Sequence, residues 1–255
     1  MGWKENYARF AGLAESPETD VVSVDVFDTL LFRTTLPEPV KFHRFGKRMY
    51  DALPVKPKDV GAPSRYMQQL RLLAARTIYH QKPMVKGARE ATLDEIYDFM
   101  VFALKQHIDL TDTQCQQIIA EFRAIERSLE VTDLSRNERL VTTLARSRAA
   151  GKKVVAVSDM YLRLADLEYL LEKFELRSLL DAIYVSSEYG YSKASGALYD
   201  TVMEDLGVEA AQVCHIGDNY HSDFAVPSSK GITAMFAPRP KWWRLTTRVR
   251  HRLNV

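Results

Sequence analysis

The run VVSVD, Val21 to Asp25, is almost wholly apolar and ends on a carboxylate. That pattern predicts a strand buried on both faces. Short apolar runs recur at 153–158 (KVVAVS), 182–186, 212–216 and 232–236. Between them helical spacing predicts helices at about 135–149, 163–174 and 195–206, with a short one at 222–229. Gly151 and Gly207 follow two of these helices, where a left-handed closing residue is expected. Strands alternating with helices predict an α/β fold, with a parallel sheet flanked by helices. Residues 1–20 read as a helical lead-in that ends in the loop SPETD.

The period changes after Pro37 and Pro39. From about Val40 to Val131 the pattern is helical throughout, with candidate helices at 38–52, 63–80, 92–107 and 112–130. Thr92 and Glu95 form a T-L-D-E capping box, and Thr111 or Asp112 can cap the last of these helices. The expected division is an α/β core (1–36 and 134–240), a helical insert (37–133) and a tail (241–255).

Strand ends on one edge of a parallel sheet are where such folds build sites. Asp25, Asp28 and Thr29 follow the first strand, and Ser158-Asp159 close the second. Lys193 lies in YGYSKASG, and Asp218 and Asp223 lie in HIGDNYHSD. A carboxylate can attack phosphorus. Carboxylates crowded round a phosphate call for a hard cation such as Mg²⁺, while a lysine and a serine hold the remaining oxygens. A lysine also favours an ionised Asp25. Asp28 can equally be a turn residue, and Asp223 a helix cap. Arg33 can meet an anionic substrate or an acid of the insert. His215 and His221 read as packing or hydrogen-bonding residues. Arg71, Arg76, Glu126 and Glu130 read as solvated charges or as ion pairs between insert and core.

Net charge changes this picture little. The formal charge is +2, but five of the 35 Lys/Arg lie in 241–255, leaving 30 against 33 acidic residues elsewhere. A nucleic-acid-coating surface is not expected. Cys115 and Cys214 form no CxxC pair, so they are expected to be buried thiols of a cytoplasmic protein. No run approaches the roughly 20 apolar residues of a membrane helix, and MGWKENYARF lacks a signal-peptide core. The tail KWWRLTTRVRHRLNV could rest on an anionic membrane surface, lead to a partner, or pack its tryptophans on the core.

Four motifs in this order resemble the haloacid dehalogenase-like (HAD) hydrolase superfamily: DVFDTLL, VVAVSD, the Lys193 segment and GDNYHSD. The resemblance implies a Rossmann-like core, and the insert is similar to the helical cap of one subclass. The strings FDTLLFR, TLDEIY, YVSSEYGYSKASGALY and HIGDNYHSD resemble a branch that accompanies bacterial polysaccharide glycosyltransferases. A glycosyltransferase partner or fused domain is thus an expectation. By resemblance Asp25 is the nucleophile. Mg²⁺ is held by Asp25, Asp218 and the Phe27 carbonyl, with Asp223 supporting the metal shell or Lys193. Ser158 and Lys193 bind the phosphoryl group. Thr29, Arg33 and Asp159 are candidate substrate contacts. The family's phosphatases place an acid/base Asp where this chain has Phe27, and Asp28 is the candidate substitute. The expected activity is a Mg²⁺-dependent phosphohydrolase acting on a small phosphorylated metabolite, such as a sugar phosphate. The alternatives are a HAD-like binding module with little turnover and, disfavoured by the insert, a phospho-receiver switch.

Overall fold

A computed structural model describes residues 3–34, 38–58, 60–240, 243, 245 and 246. Helix α1 (Trp3–Ala14) leads into β1 (Val21–Val24) and the short β2 (Leu31–Arg33). Helices α2 (Glu38–Ala52), α3 (Pro63–Gln81), α4 (Leu93–Leu104) and α5 (Asp112–Asp133) follow. Next come β3 (Leu134–Arg136), α6 (Glu138–Ala149), β4 (Lys153–Ser158) and α7 (Leu164–Lys173). The chain ends through β5 (Ala182–Val185), the single turn α8 (Ser186–Tyr189), α9 (Ala197–Leu206) and β6 (Val213–Gly217). A π-helical turn (His221–Ala225) then runs into α10 (Val226–Ser229) and β7 (Thr233–Phe236).

Two compact units result: Met1–Thr34 with Met84–Glu90 and Leu134–Arg244, and Thr35–Pro83 with Ala91–Asp133 and Leu245–Val255. The first is the α/β unit. Its five-stranded sheet runs β5-β4-β1-β6-β7, with every pairing parallel. β1 is central and wholly buried, as the run VVSV requires when helices cover both faces. Val22 stands opposite Val154 on one side and Cys214 on the other. Cys115 and Cys214 are both buried and free.

A second, two-stranded sheet was not legible in the pattern. β2 pairs antiparallel with β3, setting Arg33 opposite Leu134. Three residues are too few to show alternation, and 134–136 border a strongly helical run. The pair brings the chain's exit from the α/β unit beside its return, which is why a long insert fits there. The segment Met84–Glu90 also groups with the α/β unit. Its turn has Lys86 and Gly87 at positive φ, and Val85 and Ala88 exchange backbone hydrogen bonds. Lys86 Nζ lies 4.3 Å from the Tyr191 ring centroid, and Ser186 donates to Glu90 at 2.7 Å.

The second unit is helical. α2 and α3 approach closely at Gly46, where a Cβ would overlap the backbone oxygen of Ser64. Phe45, Met49, Met67, Leu93 and Phe122 fill its core. Thr92 and Glu95 make the reciprocal capping box, and Thr111 makes the same exchange with Gln114. The expectation for Arg71, Glu126 and Glu130 is corrected here. All three are buried inside this unit rather than solvated or bridging to the core. Arg71 donates twice to Glu126, at 3.0 and 3.2 Å, and Tyr97 donates to the same carboxylate. Glu130 pairs with Lys41. A buried charge persists only when paired in this way. Most of the tail 241–255 lies outside the described residues. Of the part within them, Trp243 stacks against Arg239 at 4.3 Å.

Candidate active site

β1 ends beside β4 and β6, so three strand ends meet at one edge of the sheet. Asp25 follows β1, with its N–H bonded to Ile216 O of β6 at 2.9 Å. Ser158 closes β4, and Gly217-Asp218 close β6. Behind Asp25 the chain turns within Val26–Leu31. Leu30 and Leu31 both donate to Val26 O, and Asp28 takes a left-handed φ of 60°. An Asx side chain tolerates that conformation better than most.

Lys193 is almost fully buried and donates to Asp25 Oδ1 and to Asp223 Oδ1, both at 2.6 Å. Its position is set by Asp159, whose two oxygens accept the N–H groups of Lys193 (2.7 Å) and Ala194 (3.3 Å). Asp223 is fully engaged. His215 Nε2 lies 3.3 Å from its Oδ1, and Asn219 N–H donates to its Oδ2 at 3.0 Å. The carboxylate comes this close to the strand because residue 217 is glycine. A Cβ there would overlap the carboxyl carbon of Asp223. His215 is buried, edge-on to Tyr199 at 5.2 Å, and Tyr199 donates to Ser222 O at 2.9 Å.

Burial pushes Asp25 upward, as do the charges of Asp223 and Asp218, while Lys193 pulls it down. Asp218 is pushed up to about 7, by burial first and then by Asp28 and Asp223. Burial works against Asp223 too, but Lys193 and His215 outweigh it and hold this carboxyl well below the usual range. Lys193 loses to burial and gains more from Asp25 and Asp223, so its ammonium keeps its proton. Burial pushes His215 down, which favours the neutral ring.

Oxygens of Asp25, Asp218 and Asp223 lie within 4.8 Å of one another. Mg²⁺ fits this donor set. The carboxylates are hard oxygen ligands, and Asp25 and Asp218 are pushed up by burial and by neighbouring carboxylates, a crowding a divalent cation relieves. Asp25 and Asp218 would be the pair to hold it. Asp223 already accepts from Lys193, His215 and Asn219, contacts that brace Lys193.

A cavity of about 320 Å³ opens at this edge, lined by Asp25, Ser158, Lys193 and Asp218 among others. Phe27, Arg33, Asp159, Asn219, His221 and Ser222 are also in its wall. Two expectations are corrected. Asp28 is not among the lining residues. Its carboxylate accepts both the N–H and the guanidinium of Arg33 at 3.2 Å, with Arg239 at 3.9 Å, so it is engaged by cations rather than free for proton transfer. Thr29 is fully buried away from the lining, and its hydroxyl has no hydrogen-bond partner among the described residues. Asp159 reaches the cavity, and its two oxygens accept backbone N–H groups of the Lys193 loop.

Arg33 lies over Phe27, its guanidinium carbon 4.4 Å from the ring centroid. Sequence reasoning missed the residues behind this contact. Arg239 donates to Arg33 O at 3.2 Å and stacks on Phe32 at 4.0 Å, some two hundred residues away in sequence. Ser23 and Gly217 were also missed, although a serine inside VVSV and a glycine closing β6 are visible exceptions to an apolar pattern.

The site is thus a parallel sheet edge at which a buried lysine lies between two carboxylates, with a third carboxylate alongside. The chain belongs to the haloacid dehalogenase-like hydrolases, whose family model matches residues 19–225. Among solved structures, a 2-haloacid dehalogenase from Pseudomonas syringae pv. tomato DC3000 is similar, with a TM-score of 0.60, 16% identity and 84% of each chain covered. A predicted phosphoglycolate phosphatase from Haemophilus somnus 129pt shows a TM-score of 0.49 and 16% identity, covering 88% of this chain and 89% of its own. L-2-haloacid dehalogenase from Xanthobacter autotrophicus shows 0.48 and 16%, covering 84% of this chain and 75% of its own. At 16% identity the likeness to the Pseudomonas structure speaks for the fold alone. No curated protein matches this chain. No described helix is long and apolar enough to cross a membrane.

Proposed function

We propose that this hydrolase is a Mg²⁺-dependent phosphohydrolase that works through an aspartyl-phosphate on Asp25. The observation that carries this reading is Lys193, held at 2.6 Å from both Asp25 and Asp223 with Asp218 alongside. A buried ammonium on the attacking carboxylate favours its anion against the burial that opposes it, and leaves positive charge where phosphoryl oxygens gather. Ser158, at the end of β4, offers a hydroxyl to the same oxygens. Asp25 and Asp218 would hold Mg²⁺. When bound, it supplies a Lewis acid that draws charge from the phosphoryl group. Attack on a carbon–halogen bond needs no such carboxylate pair, which favours phosphorus over carbon as the reacting centre. To the helical unit we assign the selection of substrate, as a cap, because it is inserted between the strands that carry Asp25 and Ser158. Service to a glycosyltransferase of polysaccharide assembly fits the sequence resemblance as a setting.

The test is phosphate release from a panel of phosphate compounds, with Mg²⁺ and with EDTA, for wild type and Asp25→Asn. Release that needs both the metal and Asp25 is expected. Equal release by Asp25→Asn would refute the nucleophile, and no release at all would leave a binding module.

A further inference from the structure

Phosphoryl transfer also needs something for the oxygen that leaves, and the wall of this cavity holds few groups to protonate it, His221 among them. Asp25 is the attacking group. Asp223 accepts from three donors, and Asp159 accepts from two backbone amides. Asp218 sits in the metal set. Lys193 is held as an ammonium between two carboxylates, and a guanidinium keeps its proton at any working pH. The wall position two residues beyond Asp25 is Phe27, whose ring is kept in place beneath Arg33 at 4.4 Å. Arg33 is in turn fixed by Asp28. At that point of the wall the chain offers an aromatic ring and a positive charge, and no transferable proton.

We propose that the substrate carries its phosphoryl group on an acidic oxygen, as in an acyl phosphate or a phosphoanhydride. The leaving oxygen then departs as a stable anion facing Arg33 and requires no proton. This rests on the phosphohydrolase reading and narrows it away from alkyl esters such as sugar monophosphates. In the first step an Asp25 oxygen bonds to phosphorus as the bond to the leaving oxygen breaks, its electron pair departing with a carboxylate or a phosphate. In the second, a water oxygen bonds to phosphorus, the pair of the Asp25–phosphorus bond returns to Asp25, and both water protons leave with the inorganic phosphate.

General acid catalysis typically contributes 10²–10⁴-fold. That contribution is missing for alkyl esters and matters little for acidic leaving groups. The experiment measures kcat/KM of the full chain with Mg²⁺ on acetyl phosphate, ADP, 4-nitrophenyl phosphate, phenyl phosphate and glucose 6-phosphate. Acetyl phosphate or ADP is expected to exceed glucose 6-phosphate by at least about 100-fold, with the aryl esters ranked by the acidity of their phenols. The two leading probes separate an acyl phosphate preference from an anhydride preference. Phe27→Asp is expected to raise the ratio of glucose 6-phosphate to acetyl phosphate turnover at least tenfold, within that range. His221→Gln is expected to keep the ratio between substrates. Comparable rates on acetyl phosphate and glucose 6-phosphate, both dependent on Asp25, overturn the proposal while the phosphohydrolase reading stands. So does a His221→Gln enzyme that loses only the alkyl ester, since His221 would then be the acid. Absence of any Asp25-dependent release overturns both together.

Discussion

Ser23 and His215 stand opposite each other in register across β1 and β6 and share a hydrogen bond of 2.8 Å. The two residues are wholly buried beneath the site. Accepting from Ser23 at Nδ1 leaves the neutral ring an Nε2–H to point at Asp223, 3.3 Å away. The pair thereby orients the carboxylate that braces Lys193.

Removing His215 is expected to act on both stability and turnover. A buried polar group left without its partner costs about 1–3 kcal/mol. His215→Ala leaves Ser23 unpaired and takes one of three donors from Asp223, so a loss in that range is expected, with slower phosphate release. Ser23→Ala removes a smaller partner and is expected to cost about 1 kcal/mol. Denaturant midpoints of both variants, read beside turnover, check this. Wild-type values for His215→Ala in both would dismiss the orienting role.

Gly217 makes the close approach of Asp223 to the strand end possible, since a Cβ would overlap the Asp223 carboxyl carbon. Gly217→Ala is expected to displace Asp223, loosen Lys193 and lower kcat at least tenfold, the scale on which misplaced catalytic groups act. The apolar β6 pairings stay in place, so the protein is expected to remain folded by circular dichroism. A folded variant with undiminished kcat would show that the position tolerates a side chain.

Much of this site was legible because strand ends are legible. The runs VVSVD, KVVAVS and HIGD each switch abruptly from apolar to polar, and a parallel sheet gathers those switches on one edge. That logic brought Asp25, Ser158, Lys193, Asp218 and Asp223 together before any geometry was known. It fails where a role depends on direction rather than address. Asp28 is one residue past Phe27, but its left-handed backbone turns its carboxylate to Arg33 and Arg239. Thr29 follows in the same turn and is buried away from the cavity. β2 and β3 are too short for a period to show. Arg71 and Glu126 read as charges on amphipathic helices, because nothing in a single helix tells that two such charges on α3 and α5 will meet inside a bundle.

That pair gives a prediction about the helical unit alone. Arg71 and Glu126 are 1% and 0% exposed at the side chain. Removing one partner of a buried ion pair typically costs 3–5 kcal/mol, whereas replacing both with apolar groups is often neutral. Arg71→Met is expected to destabilise by about 3–5 kcal/mol. Combining it with Glu126→Leu is expected to recover part of the loss, with the Tyr97 hydroxyl keeping Phe122 O as an acceptor. Chemical denaturation of the three proteins checks the order. A double variant less stable than the single would mean that the pair is a net source of stability.

The carboxylate cluster is expected to tie stability to pH and, with Mg²⁺ on Asp25 and Asp218 as proposed, to the metal. Burial and neighbouring anions push Asp218 up to about 7 and move Asp25 in the same direction. An unfolded aspartate titrates near 4. Between about 4 and 7 the folded state therefore binds more protons than the unfolded one, and these groups make stability fall as pH rises through that window. Above it the penalty is complete and constant. Mg²⁺ needs the ionised pair, so below about 7 it must displace protons, and its affinity is expected to climb with pH and then level off. At 100 times its dissociation constant a ligand stabilises by about 2.7 kcal/mol. A fixed Mg²⁺ concentration is thus expected to raise Tm clearly at pH 8 and little at pH 5.5. Asp218→Asn, which removes a ligand and an anion together, is expected to be more stable than wild type without metal and to gain little from Mg²⁺ at either pH. Thermal melts of both proteins, with Mg²⁺ and with EDTA, measure all of this. An equal Mg²⁺ shift at the two pH values, or one that survives Asp218→Asn, would place the cation elsewhere than on Asp25 and Asp218.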